Sequence, residues 1–111
     1  MLMPKQFRLS KDQIKLIVSG YGGCMATDRI VIDGTPIGYM YREDPVNPQD
    51  SGWRFFAGDE DDEYMRDTTR HGVYAVNTIV NYDPSVLPYL DAAFGTRLER
   101  TANGMFEAVT D

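Results

Sequence analysis

The sequence predicts a single α+β domain in which two or three helices pack on a mainly antiparallel sheet of about five strands. Two observations support this prediction. The chain has 111 residues, which fits one domain over residues 1–111, and 42% of them are hydrophobic, enough to build a core. Apolar residues follow helical spacing near the N-terminus, whereas β-branched and aromatic residues form short runs farther along the chain.

The first predicted element is a helix over Ser10–Ser19. Ser10 is a favourable N-cap, and Gln13, three residues on, completes a capping box. Four apolar residues repeat at the spacing of one helical face: Ile14, Ile17, Val18 and Tyr21. Gly20 and the two glycines after Tyr21 then end the helix.

The next part of the chain predicts strands. The runs Met25–Ile32 and Ile37–Arg42 are rich in β-branched and aromatic residues, and the four residues between them have turn chemistry, so they predict a β-hairpin. Residues 43–51 contain two prolines and predict a loop. Gly52–Ala57 predicts another strand, with Trp53 in a run of bulky side chains.

Three helical segments are predicted after that strand. Acidic residues at the start of 59–67 suit the positive end of a helix dipole, with Asp59 as a candidate N-cap. After a turn over residues 68–72, the spacing of apolar residues in Val73–Tyr82 favours a helix over a strand. Asp83, as N-cap before a proline, begins one more short helix.

The chain ends in a predicted hairpin. Its two strands are Phe94–Arg100 and Met105–Val109, and residues 101–104 between them end in an Asn-Gly pair. Together with the three earlier runs, this gives a sheet of about five strands.

Net charge and apolar run length limit the partners that the chain could have. A net charge of −6 repels phosphate backbones and anionic lipid, so nucleic acid and membrane surfaces are poor partners. The apolar runs are far shorter than the roughly twenty residues that span a bilayer, and Met1–Arg8 lacks the apolar stretch of a signal peptide. We therefore expect a cytoplasmic location. The single cysteine, Cys24, agrees with a reducing compartment.

The sequence contains no catalytic or metal-binding pattern. His71, the one histidine, has no partner at a useful spacing and is typical of an ordinary surface residue. Cys24 follows two glycines, but a free cysteine is more often a small buried apolar residue than a nucleophile. No Cys or His pair has zinc spacing, and the glycines around Tyr21 do not match a dinucleotide fingerprint. We therefore predict no catalytic residue, no metal site and no cofactor.

An acidic run is the candidate partner-binding segment. It consists of Asp59, Glu60, Asp61, Asp62 and Glu63, followed by Tyr64. Residues 43–67 hold nine acidic residues and two arginines, a net charge of −7 that exceeds the charge of the whole chain. Such a run is most often a solvated face, and its spacing is not that of a calcium loop, but it also suits a basic protein partner. Most of its carboxylates must face water, because buried unpaired carboxylates are costly.

Three stretches of the sequence resemble one known family. They are Gly38–Glu43, Asp50–Glu60 and Asn81–Pro84 with the Leu90-Asp91 pair. In order and spacing they are similar to the bacterial immunity protein 33 family over about residues 24–109, and the N-terminal helical segment 1–23 lies outside the similarity. The motif positions that we interpret as structural are Tyr41, Arg42, Trp53, Phe56, Gly58, Tyr82, Asp83 and Asp91.

The resemblance implies a small α+β domain that is the antidote to a toxin of bacterial competition systems, and it supplies no catalytic residues. An acidic surface speeds association with a basic partner, so we expect a non-enzymatic protein that binds a toxin, with a basic toxin as the candidate. Two alternatives stay open. A pocket lined by Trp53, Tyr39 and Tyr41 would indicate a domain that binds a small molecule or metal, and a reactive Cys24 near His71 would indicate a small hydrolase. The oligomeric state is also left open.

Overall fold

Six short strands form one sheet in the computed structural model, which describes residues 5–109. The strands are β1 (Gly23–Thr27), β2 (Tyr39–Arg42), β3 (Asp50–Phe56), β4 (His71–Ala75), β5 (Arg97–Arg100) and β6 (Phe106–Ala108). Their order across the sheet is β4-β1-β3-β2-β5-β6. β1 and β3 are parallel, and the other four neighbouring pairs are antiparallel. The predicted α+β class is confirmed, with one strand more than the five expected.

The helical elements are short. The α-helices are α1 (Asp28–Val31), α2 (Asp62–Arg66) and α3 (Val76–Tyr82), and the 3₁₀ turns are Lys11–Gln13, Thr68–Arg70 and Pro84–Tyr89. The prediction for the last turn is confirmed, because the Asp83 side chain accepts the Ser85 N–H and Pro84 occupies the first helical position.

The core lies between one face of the sheet and the helical elements α1, α3 and 84–89. Its largest fully buried side chains include Trp53, Phe55, Ile30 and Ile79. Because neighbouring residues of a strand point to opposite faces, the register places Tyr39, Tyr41, Phe56 and Val73 on the other face. We call this second face of the sheet the open face.

The helix predicted over Ser10–Ser19 is wrong. The capping box forms, since the Gln13 side chain accepts the Ser10 N–H at 2.7 Å, but only Lys11–Gln13 is helical. Residues 14–19 have no regular secondary structure.

Two side chains of α3 bind the backbone groups of residues 15–18, which the predicted N-terminal helix would have paired internally. Asn77 accepts the N–H groups of Ile17 and Val18, at 2.7 and 3.0 Å, and donates to the Lys15 carbonyl at 2.9 Å. Asn81 binds both the N–H and the carbonyl of Lys15. These bonds satisfy backbone groups that a helix would have paired internally, so the segment is fixed to α3 without being helical.

The hairpin predicted over residues 25–42 is also wrong, because its two strands are not neighbours. β1 ends at Thr27, and the chain then forms α1, which buries Ile30 and Val31. β3 lies between β1 and β2, so β2 forms its hairpin with β3 across the predicted loop. A parallel β1–β3 pair needs a long connection, which α1 and the residues after it provide.

The prediction of a helix over Val73–Tyr82 is correct only from Val76 onward, because the first three residues belong to a strand. β4 begins at His71, inside the predicted turn, and continues to Ala75 before α3 begins at Val76. The apolar residues that favoured the helix, Ile79 and Val80 among them, are buried in α3 as their spacing predicts. The closing hairpin is confirmed as β5 and β6, which are shorter than predicted.

Candidate partner-binding surface

The acidic run Asp59–Glu63 leads from the end of β3 into α2. Asp61 is the N-cap of α2, because its side chain accepts the Tyr64 N–H at 2.7 Å, so the predicted cap at Asp59 is wrong. Asp62 and Glu63 form the first turn of α2, are exposed, and make no side-chain hydrogen bond or ion pair with any residue in 5–109. The expectation that most of the run faces water is therefore confirmed.

Besides Asp61, two more carboxylates of the run have partners inside the chain. Arg29 donates two hydrogen bonds to Asp59, at 2.6 and 3.1 Å, and this lowers the pKa of the Asp59 carboxyl. Glu60 is half-buried and accepts hydrogen bonds from the Thr27 hydroxyl and from the N–H groups of Ala57 and Gly58. These two residues hold the loop in place and have less capacity left for an external partner.

Tyr64, the last residue of the predicted segment, is turned toward the protein. Its hydroxyl accepts the Arg29 N–H at 3.2 Å, and partial burial raises its pKa. Arg70 lies over its ring, with the guanidinium carbon 5.2 Å from the ring centroid.

A cleft of about 510 Å³ lies beside the acidic run, at the edge of the open face. Its lining residues are Gly38, Tyr39, Phe56, Ala57, Gly58, Asp59, Glu60, Met65, Glu99 and Arg100. Aromatic rings and three carboxylates thus come together at one place, and we call it the acidic cleft. β5 supplies Glu99 to the cleft, where Glu99 lies opposite Tyr39 of β2.

Two acidic residues on the open face lie directly opposite each other. Glu99 of β5 pairs in register with Glu107 of β6, and both are exposed. Like charges in opposite positions of an antiparallel pair destabilise the sheet, so this pair adds an uncompensated negative charge next to the acidic cleft.

The aromatic residues of the open face form a stacked cluster. The Tyr41 and Phe56 rings are 5.6 Å apart and nearly parallel, and Tyr39 lies 5.7 Å from Phe56. Trp53 lies on the opposite face of the sheet and is fully buried. The pocket of Trp53, Tyr39 and Tyr41 that would have indicated a small-molecule site is therefore not formed.

The geometry separates the two residues of the hydrolase alternative. Cys24 is 2% exposed, and burial raises the pKa of its thiol, so it remains protonated. Cys24 pairs with Tyr74, whereas His71 pairs with Thr27 at the other end of β1. The two side chains also point to opposite faces of the sheet, so His71 cannot activate Cys24.

A second concave surface is a mainly apolar groove of about 770 Å³, lined by residues of β4, β1 and β3 and by the segment that precedes β1. Three exposed apolar residues line this groove: Leu16, Val46 and Val73, which are 81%, 76% and 81% exposed. At its base Arg54 pairs with Asp50 at 2.8 Å and with Glu43 at 3.0 Å.

Residues 5–109 contain neither a cluster of metal-ligating side chains nor a membrane-spanning helix. No group of three or more His, Cys, Asp and Glu side chains is placed to hold a metal ion. No helix there has the length and apolar character needed to cross a membrane.

In a comparison with protein families, the immunity protein Imm33 domain matches the chain over residues 24–110. This match covers most of the chain. The chain belongs to the Imm33 immunity protein family. The resemblance read from the sequence is thereby confirmed, and the family implies a protein partner. No curated protein and no solved structure matched the chain.

Arg42 and Trp53, two motif positions within the Imm33 match, bind one segment of the chain. The Arg42 guanidinium donates to the carbonyls of Ser51, Leu90 and Ala92. The Trp53 indole N–H donates to the same Leu90 carbonyl at 3.0 Å. This network fixes residues 90–92 to the centre of the sheet.

Asp83 and Tyr82 join further parts of the Imm33 region. Asp83 accepts the Ile37 N–H at 2.9 Å and pairs with Arg100 at 2.8 Å. The Tyr82 hydroxyl donates to the Val31 carbonyl at 3.0 Å.

The other motif positions also have contacts inside the chain. Asp91 accepts the Tyr21 hydroxyl, and Tyr41 and Phe56 belong to the aromatic cluster. Gly58 has a φ of 101°, which favours glycine.

Sequence reasoning missed Glu99 and Met65 as parts of the acidic cleft. Both become neighbours of Tyr39 only through sheet pairing and the turn into α2, and no spacing in the sequence signals either contact. Arg29 was missed for the same reason, since thirty residues separate it from Asp59.

Proposed function

We propose that the chain is a cytoplasmic immunity protein that neutralises a bacterial toxin by binding it, without catalysing a reaction, and that the toxin is basic. The acidic cleft is the observation that carries this proposal. Protein interfaces combine aromatic anchors in a central pocket with a charged rim, and the cleft has Tyr39 and Phe56 within an acidic border.

The distribution of charge supports a basic partner. Arg29 and Arg54 compensate Asp59, Asp50 and Glu43 inside the chain. The exposed acids of α2 and of the β5–β6 hairpin have no such partner among residues 5–109. They are Asp62, Glu63, Glu99 and Glu107, and they leave negative potential around the cleft that would steer a basic protein toward it.

The test is association with the product of the gene next to this one. The double variant Asp62→Asn/Glu63→Gln removes two charges that make no internal contact, so the fold should be kept while association slows, most strongly at low salt. The control Asp12→Asn/Asp44→Asn removes the same charge from exposed positions outside the cleft. Rates should be measured at two ionic strengths by surface plasmon resonance.

Tyr39→Ala tests the aromatic part of the same surface. We expect it to raise the dissociation rate, because it removes an anchor from the centre of the interface. Equal rates for the unchanged chain, the double variant and Tyr39→Ala would exclude the acidic cleft from the interface. Growth of cells that express the neighbouring product together with this chain would test neutralisation itself, and continued toxicity would contradict the proposed function.

A further inference from the structure

β4 is an edge strand whose outer side is unpaired. The Val76 N–H donates to the Gly22 carbonyl, which places the hydrogen-bonded pairs of the β1–β4 ladder at Cys24–Tyr74 and Ala26–Gly72. The intervening residues of β4 therefore turn their backbone groups away from β1. These are His71, Val73 and Ala75, and apart from the Ala75 carbonyl at the start of α3, none of their backbone groups is hydrogen-bonded to another backbone group of residues 5–109.

The backbone groups of β4 belong alternately to residues that can pair with an added strand and to residues that already pair with β1. His71 and Val73 each offer an N–H and a carbonyl, whereas Ala75 offers only its N–H, because its carbonyl begins α3 as the N-cap. Val73 is the middle residue of the strand and is 81% exposed. An extended chain that pairs here thus finds a ladder of donors and acceptors and an exposed apolar side chain at its centre.

Charge indicates which extended chain fits. Residues 71–82 contain no Asp, Glu, Lys or Arg, in a chain whose net charge is −6. This edge gives a basic toxin no electrostatic attraction, and it is where two copies of an acidic chain repel each other least. β6, the other edge strand, has three residues and carries Glu107, a charge of the kind that blocks edge pairing.

We propose that β4 pairs antiparallel with β4 of a second copy of this chain, about a two-fold axis at Val73. Val73 of each copy exchanges two backbone hydrogen bonds with Val73 of the other, and the Ala75 N–H of each copy donates to the His71 carbonyl of the other. The two sheets become one continuous sheet, and the exposed Val73 side chains of the two copies lie side by side on its open face.

The test is the oligomeric state of the full chain by sedimentation equilibrium over a range of concentrations. We expect a reversible dimer in the micromolar range, since one short strand pair is a small interface. Val73→Lys should raise the dissociation constant by at least about tenfold, because two like charges then face each other across the axis. Its melting temperature when monomeric should be unchanged, since the side chain is exposed.

A cross-linking variant gives an independent measurement. Directly opposite residues of a hydrogen-bonded pair have Cα atoms about 5.5 Å apart, within the range for a disulfide, so oxidised Val73→Cys should form a covalent dimer. Met105→Cys, equally on the surface but in the β5–β6 connection, is the control and should not. The native Cys24 is buried and does not interfere.

Dimer formation through β4 does not depend on toxin binding, so experiments can disprove one without disproving the other. A chain that stays monomeric at all concentrations would overturn it, as would equal cross-linking of the two cysteine variants. If the chain is monomeric and Val73→Lys weakens binding of the neighbouring gene product, the edge binds the toxin, and pairing with a second copy is wrong.

Discussion

The indole N–H of Trp53 and a guanidinium N–H of Arg42 donate to one acceptor, the Leu90 carbonyl, at 3.0 and 3.3 Å. Arg42 and Trp53 are also partners in the β2–β3 register, and the guanidinium carbon lies 5.8 Å from the indole centroid. The hydrogen bonds therefore link β2 and β3 to a segment that follows β3 by more than thirty residues in sequence.

Trp53→Ala should lower the free energy of unfolding by about 3–5 kcal/mol, because the ring is fully buried and its loss leaves a cavity. Trp53→Phe keeps most of the buried area and should lose less, since Arg42 still satisfies the Leu90 carbonyl. Urea denaturation measures both changes. An unchanged unfolding midpoint for Trp53→Ala would show that the ring does not belong to the core.

Asp50 should make stability depend on acid pH. Its side chain is 7% exposed, and hydrogen bonds from Arg54 hold the pKa of its carboxyl well below the usual range. Such a group stabilises the fold fully at pH values above its unfolded pKa, about 3.9, and the stabilisation is lost as the pH falls through the folded pKa. Asp50→Asn should therefore lower stability at neutral pH and flatten the loss of stability in acid.

Asp59→Asn is the matched control for Asp50, because Asp59 also pairs with an arginine but its side chain is 57% exposed. Solvent screens that pair, so this variant should change the acid dependence in the same direction and by less. Urea unfolding over a series of acid pH values compares the three proteins. An acid dependence for Asp50→Asn that matches the unchanged chain would contradict the assigned role of Asp50.

Asp61→Ala should lower the free energy of unfolding by about 1 kcal/mol, the usual effect of losing an N-cap. Asp62→Ala removes a neighbouring exposed acid that makes no such hydrogen bond, and it should cost less. The comparison uses the same denaturation measurement. Equal losses for the two variants would show that general charge, rather than the bond to the Tyr64 N–H, stabilises the start of α2.

Asn77→Ala should release the segment at residues 15–18. The variant removes the hydrogen bonds to Ile17, Val18 and Lys15 while improving the helix propensity of α3. We expect faster trypsin cleavage after Lys15 and faster amide exchange at Ile17. Thr78→Ala, the next position in α3, is the control, and equal cleavage of the two variants would contradict this account.

Local chemistry predicted the elements whose partners are close in sequence. The predictions of a helical turn beginning at Asp83-Pro84 and of the β5–β6 hairpin are correct, because capping and the Asn-Gly turn act within a few residues. The burial of Trp53 also followed from a local pattern of bulky residues.

Contacts between distant parts of the chain caused the errors. The N-terminal segment had helical spacing, yet Asn77 and Asn81, about sixty residues away, bind its backbone instead. The helical spacing of the apolar residues after Val73 predicts a helix there, and only the pairing of Val73 with Met25 makes it part of an edge strand. The acidic run is visible in the sequence, but its contact with Arg29, thirty residues from Asp59, is not.

β1 precedes both of its neighbours in the chain, although it lies between β3 and β4 in the sheet. During synthesis on the ribosome, β1 therefore emerges before either neighbour, stays unpaired until β3 has followed, and keeps one side unpaired until Ala75 has followed. Its pairing joins residues far apart in sequence, which makes it slower to form than the hairpin of β5 and β6. The nascent chain thus has an interval in which the apolar strand with Cys24 and Ala26 is accessible to chaperones and to aggregation.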